Sequence, residues 1–410
     1  MCGDTRLRVL FLASSYPRNE DDTASVFLRY LARELQRRNI DVEVLVPADG
    51  EAETGIEEGI KVHRFQYFPV ALQGLAYGSG VISNLSRSPW LWLQVPFFLL
   101  AMAYGLIRRI HKGSPDLIHA HWILPQGIIA IAAKLFYRIP VITTAHGADA
   151  YALRGKIFAF FKRVALRKSN VWTTNTLATA RVVGHAPSLS EPVVIPMGVD
   201  VMLFSQGNPI AYRKEIPANE FLVLFVGRLV EKKGCQDLLV AFAHLSPALK
   251  ARTSLWIVGD GDQRIHLEKL AKNLAIANKV RFWGTISNRR LPDIYAAADL
   301  FVAPSIEAES GDTEGQGVVL LEAFAARTCV LATRVGGIDA VVRDNITGIL
   351  VPPKQPTELA QGIAKLIDDS ALRSTLIENA FAEVNECYDW PGIAGKFEDL
   401  YRQVLHTPHK

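Results

Sequence analysis

Cysteine is nearly absent from this chain: four in 410 residues, Cys2, Cys235, Cys329 and Cys387, far apart and with no C-x-x-C or Cys/His cluster. That scatter supports neither a zinc site nor a disulfide framework, and a reducing compartment is the simpler setting. A dominant charge is missing too. Lys plus Arg is 45 against 41 for Asp plus Glu, and a net +4 is too small to argue for nucleic acid, though it suits a weakly basic face near anionic lipid. No short repeat or low-complexity tract occurs, and 49% hydrophobic with 21% charged residues describes a globular chain. The start, Met1 to Arg8, runs straight into the strand-like Val9-Leu-Phe-Leu-Ala13 without the layout of a signal peptide, so a cytoplasmic protein is expected.

One long apolar run is present, Trp90 to Ile107, followed by Arg108, Arg109, His111 and Lys112. It is close to the minimum for a membrane span, ~17–25 residues. Gln94 and Pro96 interrupt it. A core helix is the first reading, a helix dipping into one leaflet the second and a true span the third. The aromatic start and basic end favour the interfacial option over the span.

Short apolar runs alternate with helical patterns along the whole chain. Strands are expected at Arg8–Ala13, Asp41–Val46, Lys61–Phe65, Asp116–Ala120, Val141–Ala145 and Asn170–Thr174, with helices at Ala24–Arg38, Pro125–Phe136 and Ile157–Arg167. Thr23 reads as an N-cap and Asn39 as a stop. The pattern restarts with strands at Phe221–Val226, Ser254–Val258, Val280–Trp283, Leu300–Ala303 and Val330–Thr333. Helices are expected at Cys235–Leu245, Gln263–Ala277, Arg290–Ala298 and Thr357–Ile367. Such alternation implies α/β architecture, with parallel sheets covered on both faces. Two runs argue for two doubly wound domains, 1–200 and 201–389, with the boundary in the Pro- and Asn-containing stretch 200–219.

Glu314-Gly-Gln-Gly-Val-Val-Leu-Leu-Glu322 places two carboxylates seven residues apart, one in a glycine-rich loop and one on the apolar helix that follows. Gly315 and Gly317 permit close backbone approach, and a helix N-terminus suits a phosphate. A second anion-binding arrangement follows Phe221–Val226: Gly227-Arg228-Leu-Val-Glu-Lys-Lys233-Gly234. Arg228 offers a planar fork, Lys233 a point charge, and Lys232 reads as a solvated neighbour. A third glycine turn, Val258-Gly259-Asp260-Gly261, closes the next strand.

These segments resemble, in order, the E-x7-E, G-R-L-x-x-x-K-G and V-G-x-G motifs of retaining glycosyltransferases of the GT-B fold, family 4, the superfamily of glycogen synthase and many mannosyltransferases. Val141-Ile-Thr-Thr-Ala-His146-Gly147-Ala-Asp149 resembles the family's H-G-x-D segment. Met197-Gly198-Val-Asp200 resembles its N-G-V-D turn, with Met in place of Asn. The resemblance spans nearly the whole chain and is strongest from Phe221 to Leu350. It implies two Rossmann-like domains facing a central cleft, with the final helix, 390–405, returning to the first domain.

The site residues it implies are Glu314, His146, Arg228 and Lys233 for catalysis. The donor is assigned to Glu322, Gly315, Gln316, Gly317, Gly227, Gly259 and Gly261. On the acceptor side the candidates are Arg18, His121 and Asp149. The expected reaction moves a sugar from a nucleotide-diphosphate donor to a hydroxyl, with lipid-linked or membrane-associated saccharide as the acceptor class. The nucleotide-sugar is a co-substrate, and no resident cofactor or metal is expected. The acidic run Glu20-Asp21-Asp22 has no second ligand cluster, so no metal is assigned to it.

One departure is the loop after the first strand, Ser14 to Ser25. It has none of the glycines usual in the family, which leaves Arg18 and nearby hydroxyls for the acceptor. The same lack of glycine argues against an NAD-type dehydrogenase. A nucleotide-sugar epimerase or a non-catalytic sugar-nucleotide-binding protein on this fold stands as the alternative. An epimerase has no use for the apolar run of Trp90–Ile107.

Overall fold

The computed structural model describes residues 6–20, 22, 24–50, 54–78, 80–151, 153, 155–183 and 189–407. Cys2, Asp21 and Thr23 lie outside the described residues. The chain folds as two compact units, Met1–Pro196 with Pro391–Lys410, and Met197–Trp390.

The first unit holds an eight-stranded sheet. Its strands are β1 (Leu7–Leu12), β2 (Ile40–Pro47), β3 (Gly55–Glu57), β4 (Ile60–Phe65), β5 (Leu117–His121), β6 (Val141–Ala145), β7 (Val171–Thr174) and β8 (Val193–Val194), in the order β3-β4-β2-β1-β5-β6-β7-β8. All pairs are parallel except the β3–β4 hairpin at the edge. The order reverses at β1/β5, where open α/β sheets bind ligands beyond the strands' carboxyl ends. The inner strands β1 and β2 are mainly apolar on both faces, as helix-covered parallel strands are. By contrast, β5, β6 and β7 also bury polar residues, His119, His121, Thr143, Thr144 and Thr173 among them. The helix Val26–Arg37 starts after Ser25 and stops before Asn39, whose φ of 62° is a left-handed conformation asparagine tolerates.

The apolar run from Trp90 is two elements. A 3₁₀ segment, Pro89–Gln94, leads into the helix Val95–Gly113, with Pro96 in its first turn, where no N–H is needed. Gln94 is buried because both ends of its amide are used: Nε2 donates to the Leu72 carbonyl at 2.7 Å and Oε1 accepts from Gly74 N at 3.4 Å. Only one side of the helix, Phe98, Met102, Leu106 and Ile110, enters the core. The segment expected as a helix from Pro125 begins instead with a π-type turn, Ile123–Gly127, before the helix Ile128–Tyr137.

The second unit holds a six-stranded, all-parallel sheet: β9 (Phe221–Val226), β10 (Thr253–Val258), β11 (Val280–Gly284), β12 (Leu300–Ala303), β13 (Cys329–Thr333) and β14 (Ile349–Val351), in the order β11-β10-β9-β12-β13-β14. Its switch point is β9/β12. Alternate residues of β9 face opposite ways: Leu222, Leu224 and Val226 join one core layer, Val223 and Phe225 the other. An 18-residue helix, Ser370–Cys387, was not expected from the sequence. The last helix, Trp390–His406, packs with the first unit from residue 391 on. There Tyr401 is fully buried and Arg38 reaches the Pro391 carbonyl at 2.9 Å.

Candidate active site

In the second unit, the loops beyond β9, β10 and β12 bring most of the expected donor residues together. The β9 and β10 loops are fastened backbone to backbone. Gly227 N donates to the Val258 carbonyl at 3.0 Å, and Leu229 N to that of Asp260 at 2.9 Å. A Cβ on Gly259 would lie 1.9 Å from the Gly227 carbonyl oxygen, and one on Gly261 would lie 2.3 Å from that of Leu229. These two glycines are therefore required by the close approach of the loops, whatever else they meet. Gly234 (φ 63°) has the same role against Pro304.

Lys233 is ion-paired to Glu314, each side chain only 15% exposed. Burial raises the Glu314 carboxyl pKa, but the cations of Lys233, Lys232 and Arg228 outweigh it, and the group stays below the ordinary carboxylate range. Glu314 is thus ionised within a cluster of three cations. Lys232 is not the solvated neighbour expected of it. Its Nζ donates to Asp312 Oδ1 at 3.1 Å and to the Thr313 carbonyl at 3.3 Å, so it pins the loop that carries Glu314. The Glu314 carbonyl accepts from Gly337 N at 2.9 Å, which fastens the loop on its other side.

The helix after this loop is Val318–Ala325, with Gly317 as N-cap at φ 81°. Of its first-turn N–H groups, that of Leu320 donates to the Gly317 carbonyl at 2.9 Å, and the N-terminal end of a helix carries a partial positive charge. Glu322 sits one turn in and accepts from the Tyr295 hydroxyl at 2.8 Å. Burial pushes its carboxyl up to about 7, against the opposing effects of Tyr295 and Lys233. The Gln316 side-chain amide is engaged within the protein. Its Oε1 accepts from Met197 N at 2.7 Å and its Nε2 donates to the Met197 carbonyl at 3.1 Å. This pair holds the turn in which Met replaces the family's Asn.

In the first unit, β5 and β6 carry a histidine cluster. His119 and His121 lie on the same face of β5, two residues apart, with ring centroids 4.0 Å from each other. His121, the last residue of β5, is wholly buried. Its Nδ1 shares a hydrogen bond with His146 Nε2 at 3.1 Å. His146 Nδ1 is buried without a protein partner. Burial pushes the His146 pKa down to about 3, and burial with the neighbouring rings puts His121 well below the ordinary histidine range. Both rings are neutral at physiological pH. Asp149 takes two backbone donors, Ile123 N at 2.8 Å and His146 N at 3.0 Å, and so fixes the loop beneath His146. Arg18 lies apart from this cluster, paired with Asp22 and Asp49 over the Tyr77 ring. Among the described residues no group of three or more His, Cys, Asp or Glu is arranged to hold a metal ion.

Residues 24–203 match the family Glycosyltransferase Family 4, and residues 210–383 match Glycosyl transferases group 1. The chain is a glycosyltransferase of the family 4 type, with the GT-B fold. It is 27% identical to the putative teichuronic acid biosynthesis glycosyltransferase TuaC of Bacillus subtilis, over 98% of this chain and 100% of the relative. It shares its fold with sucrose-phosphate synthase from Thermosynechococcus elongatus, at TM-score 0.79 and 24% identity over 97% of this chain and 99% of that one. HepE of Anabaena in complex with UDP superposes at TM-score 0.76, with 23% identity over 97% of this chain and 100% of that one. In this glycosyltransferase, sequence reasoning missed Tyr295, the Gln316–Met197 clasp and the contact of His119 Nδ1 with the Tyr401 hydroxyl at 2.7 Å. No local signal marks any of them, since each partner is 27 or more residues away.

Proposed function

We propose that this glycosyltransferase moves a sugar, with retention of configuration, from a nucleoside-diphosphate sugar to a hydroxyl of a lipid-linked or membrane-associated saccharide, in surface polysaccharide or glycolipid synthesis. The observation that carries the reading is the Lys233–Glu314 pair, held with Arg228 in a cation cluster beside the helix that starts after Gly317. Positive charge from two side chains and a helix N-terminus is what a departing diphosphate needs. Glu314 then accepts from sugar hydroxyls and Glu322 from the ribose, while His146 takes the sugar-hydroxyl role its H-G-x-D resemblance implies.

In the step itself the bond from the anomeric carbon to the diphosphate oxygen breaks. The acceptor oxygen bonds to the same face of that carbon. The acceptor's proton passes to the leaving phosphate oxygen, so no protein nucleophile is consumed. The UDP complex of HepE and the assignment of TuaC to teichuronic acid biosynthesis support the donor and acceptor classes. The proposed location is cytoplasmic, peripheral at the inner face of the membrane.

The test is thermal stabilisation of the purified protein by UDP, GDP, ADP and TDP, with and without attached sugars. A large shift for one diphosphate is expected, because a ligand bound only to the folded state raises its stability. No shift with any of them would overturn the donor assignment.

A further inference from the structure

A helix that is apolar all round is normally buried, yet Val95–Gly113 is covered on one side only. Outside the core, Leu93, Phe97, Leu100, Tyr104 and Ile107 recur every three or four residues and form a continuous exposed stripe, with Leu100 68% and Tyr104 67% accessible. The helix Ile128–Tyr137 packs against this helix and also against the helix Lys156–Lys168. It ends in an exposed Leu135 and Phe136, the latter 82% accessible. The helix Lys156–Lys168 in turn exposes Ile157, Phe160 and Phe161. Three neighbouring helices of the first unit thus carry outward apolar side chains.

The sequence segment that carries them is nearly of one charge sign, although Arg109 of the first helix pairs with Glu43 of β2 at 2.8 Å. From Gly59 to Ser190 the sequence has fifteen Lys and Arg and only two carboxylates, Asp116 and Asp149. Asp116 pairs with Arg8, and Asp149 is buried against backbone N–H groups. The rest of the chain carries 30 basic against 39 acidic residues, so the near-neutral total hides a strongly basic segment. Arg108, Lys112 and Arg138 are exposed at the ends of the first two helices, and Lys156, Arg163 and Arg167 on the third.

We infer that these three helices form one docking face for an anionic lipid surface, with the stripe from Leu93 to Ile107 and the Ile157–Phe161 cluster in the acyl boundary and the basic side chains among the headgroups. This deepens the reading above and rests on its lipid-linked acceptor for its purpose. Charge complementarity selects the occupant. Two copies of so basic a face repel each other, whereas a bilayer rich in anionic headgroups attracts it. The segment 89–113 is long and apolar enough to cross a membrane. However, Phe98, Met102, Leu106 and Ile110 are core of the first unit, and a span would remove them from it. A helix lying in the interface keeps both sides satisfied. Trp90 and Trp92, both exposed before the helix, suit the headgroup depth.

Flotation of the full-length protein with vesicles tests the inference. Binding is expected to phosphatidylcholine vesicles containing phosphatidylglycerol, with release by salt, and not to phosphatidylcholine alone. The pair Leu100→Glu/Tyr104→Glu and, separately, Arg163→Glu/Arg167→Glu are each expected to weaken binding by about tenfold or more. All four side chains are solvent-facing, so the variants should keep the wild-type circular dichroism. Recovery only in the soluble fraction would overturn the inference. So would binding that survives the Arg163/Arg167 pair, equal binding to neutral vesicles, or retention that only detergent reverses. A vesicle-free dimer that Leu100→Glu dissociates would assign the face to a second copy instead. Stabilisation by nucleoside diphosphates, read without vesicles, should be unchanged in the docking variants. If that stabilisation is absent while flotation persists, the transfer reading fails and the docking face stands.

Discussion

Lys233 and Glu314 are each other's partner, so removing either does two things at once. Lys233→Ala leaves a largely buried carboxylate with less compensating charge, which costs about 1–3 kcal/mol of stability. It also takes a cation from the site of developing negative charge, for which a loss of about 10²–10³ in turnover is expected. Arg228→Ala is expected to lower turnover comparably. Wild-type kcat in both variants, measured with the donor that stabilises the protein, would remove the assignment. Glu322 makes a prediction of opposite character. Its folded-state pKa, about 7, lies above the ordinary 4.5. Between these values the unfolded chain has released the proton and the folded protein still holds it, so stability falls as pH rises from about 4.5 to about 7 and then levels. The full effect is about 3 kcal/mol. Glu322→Gln has no such proton, and its stability relative to wild type should improve toward high pH. Parallel urea midpoints for the two proteins across that range would contradict the burial of the charge.

At the scale of the element, the glycine loops divide into those that position other backbone and those free to meet a ligand. Gly234→Ala would place a Cβ 1.9 Å from the Pro304 carbonyl oxygen in a left-handed conformation, and Gly259→Ala the same distance from Gly227. Backbone cannot yield that far, so both variants are expected to lose stability sharply, well beyond the ~1–2 kcal/mol of the conformation alone. Gly227→Ala meets nothing closer than 3.5 Å and should fold normally. Chemical denaturation of the three variants checks the ranking.

Many of the parallel strands are legible because they are short, largely apolar runs with turn residues at both ends. Val141–Ala145, Phe221–Val226 and Leu300–Ala303 were read to the residue. The helix Ser370–Cys387 was not, since it buries only Leu376, Ala380 and Val384, too narrow a stripe to stand out among its polar neighbours. The edge strand Gly55–Glu57 and the strand Ile349–Val351 are three residues each, too short for a period to show. The motif residues announced themselves by type and spacing, but what holds them did not. Gln316, assigned to the donor by its motif, also clasps the Met197 backbone, 119 residues distant, and nothing near it in sequence marks that.

For the whole molecule the decisive feature is that the first unit is built from two separated pieces of chain. Residues 391–410 bring Ile393, Ala394 and Tyr401 to it fully buried, and the Tyr401 hydroxyl meets His119, which also contacts Thr144 Oγ1 at 2.6 Å. Arg38 pairs with Glu398 at 3.1 Å on the same helix. That helix covers the sheet face carrying His119 and His121, so its loss exposes apolar side chains and unpairs a buried imidazole at once. Truncation after Trp390 is therefore expected to lower the melting temperature of the first unit, while the second, whose segment 197–390 is continuous, keeps its own. Calorimetry should show two transitions in the truncated protein, only one of them displaced. The displaced transition should move back with Tyr401 and its helix restored, and less so with Tyr401→Phe, which leaves His119 Nδ1 without its hydroxyl. An undisplaced pair of transitions would mean that the helix contributes nothing to the sheet it covers.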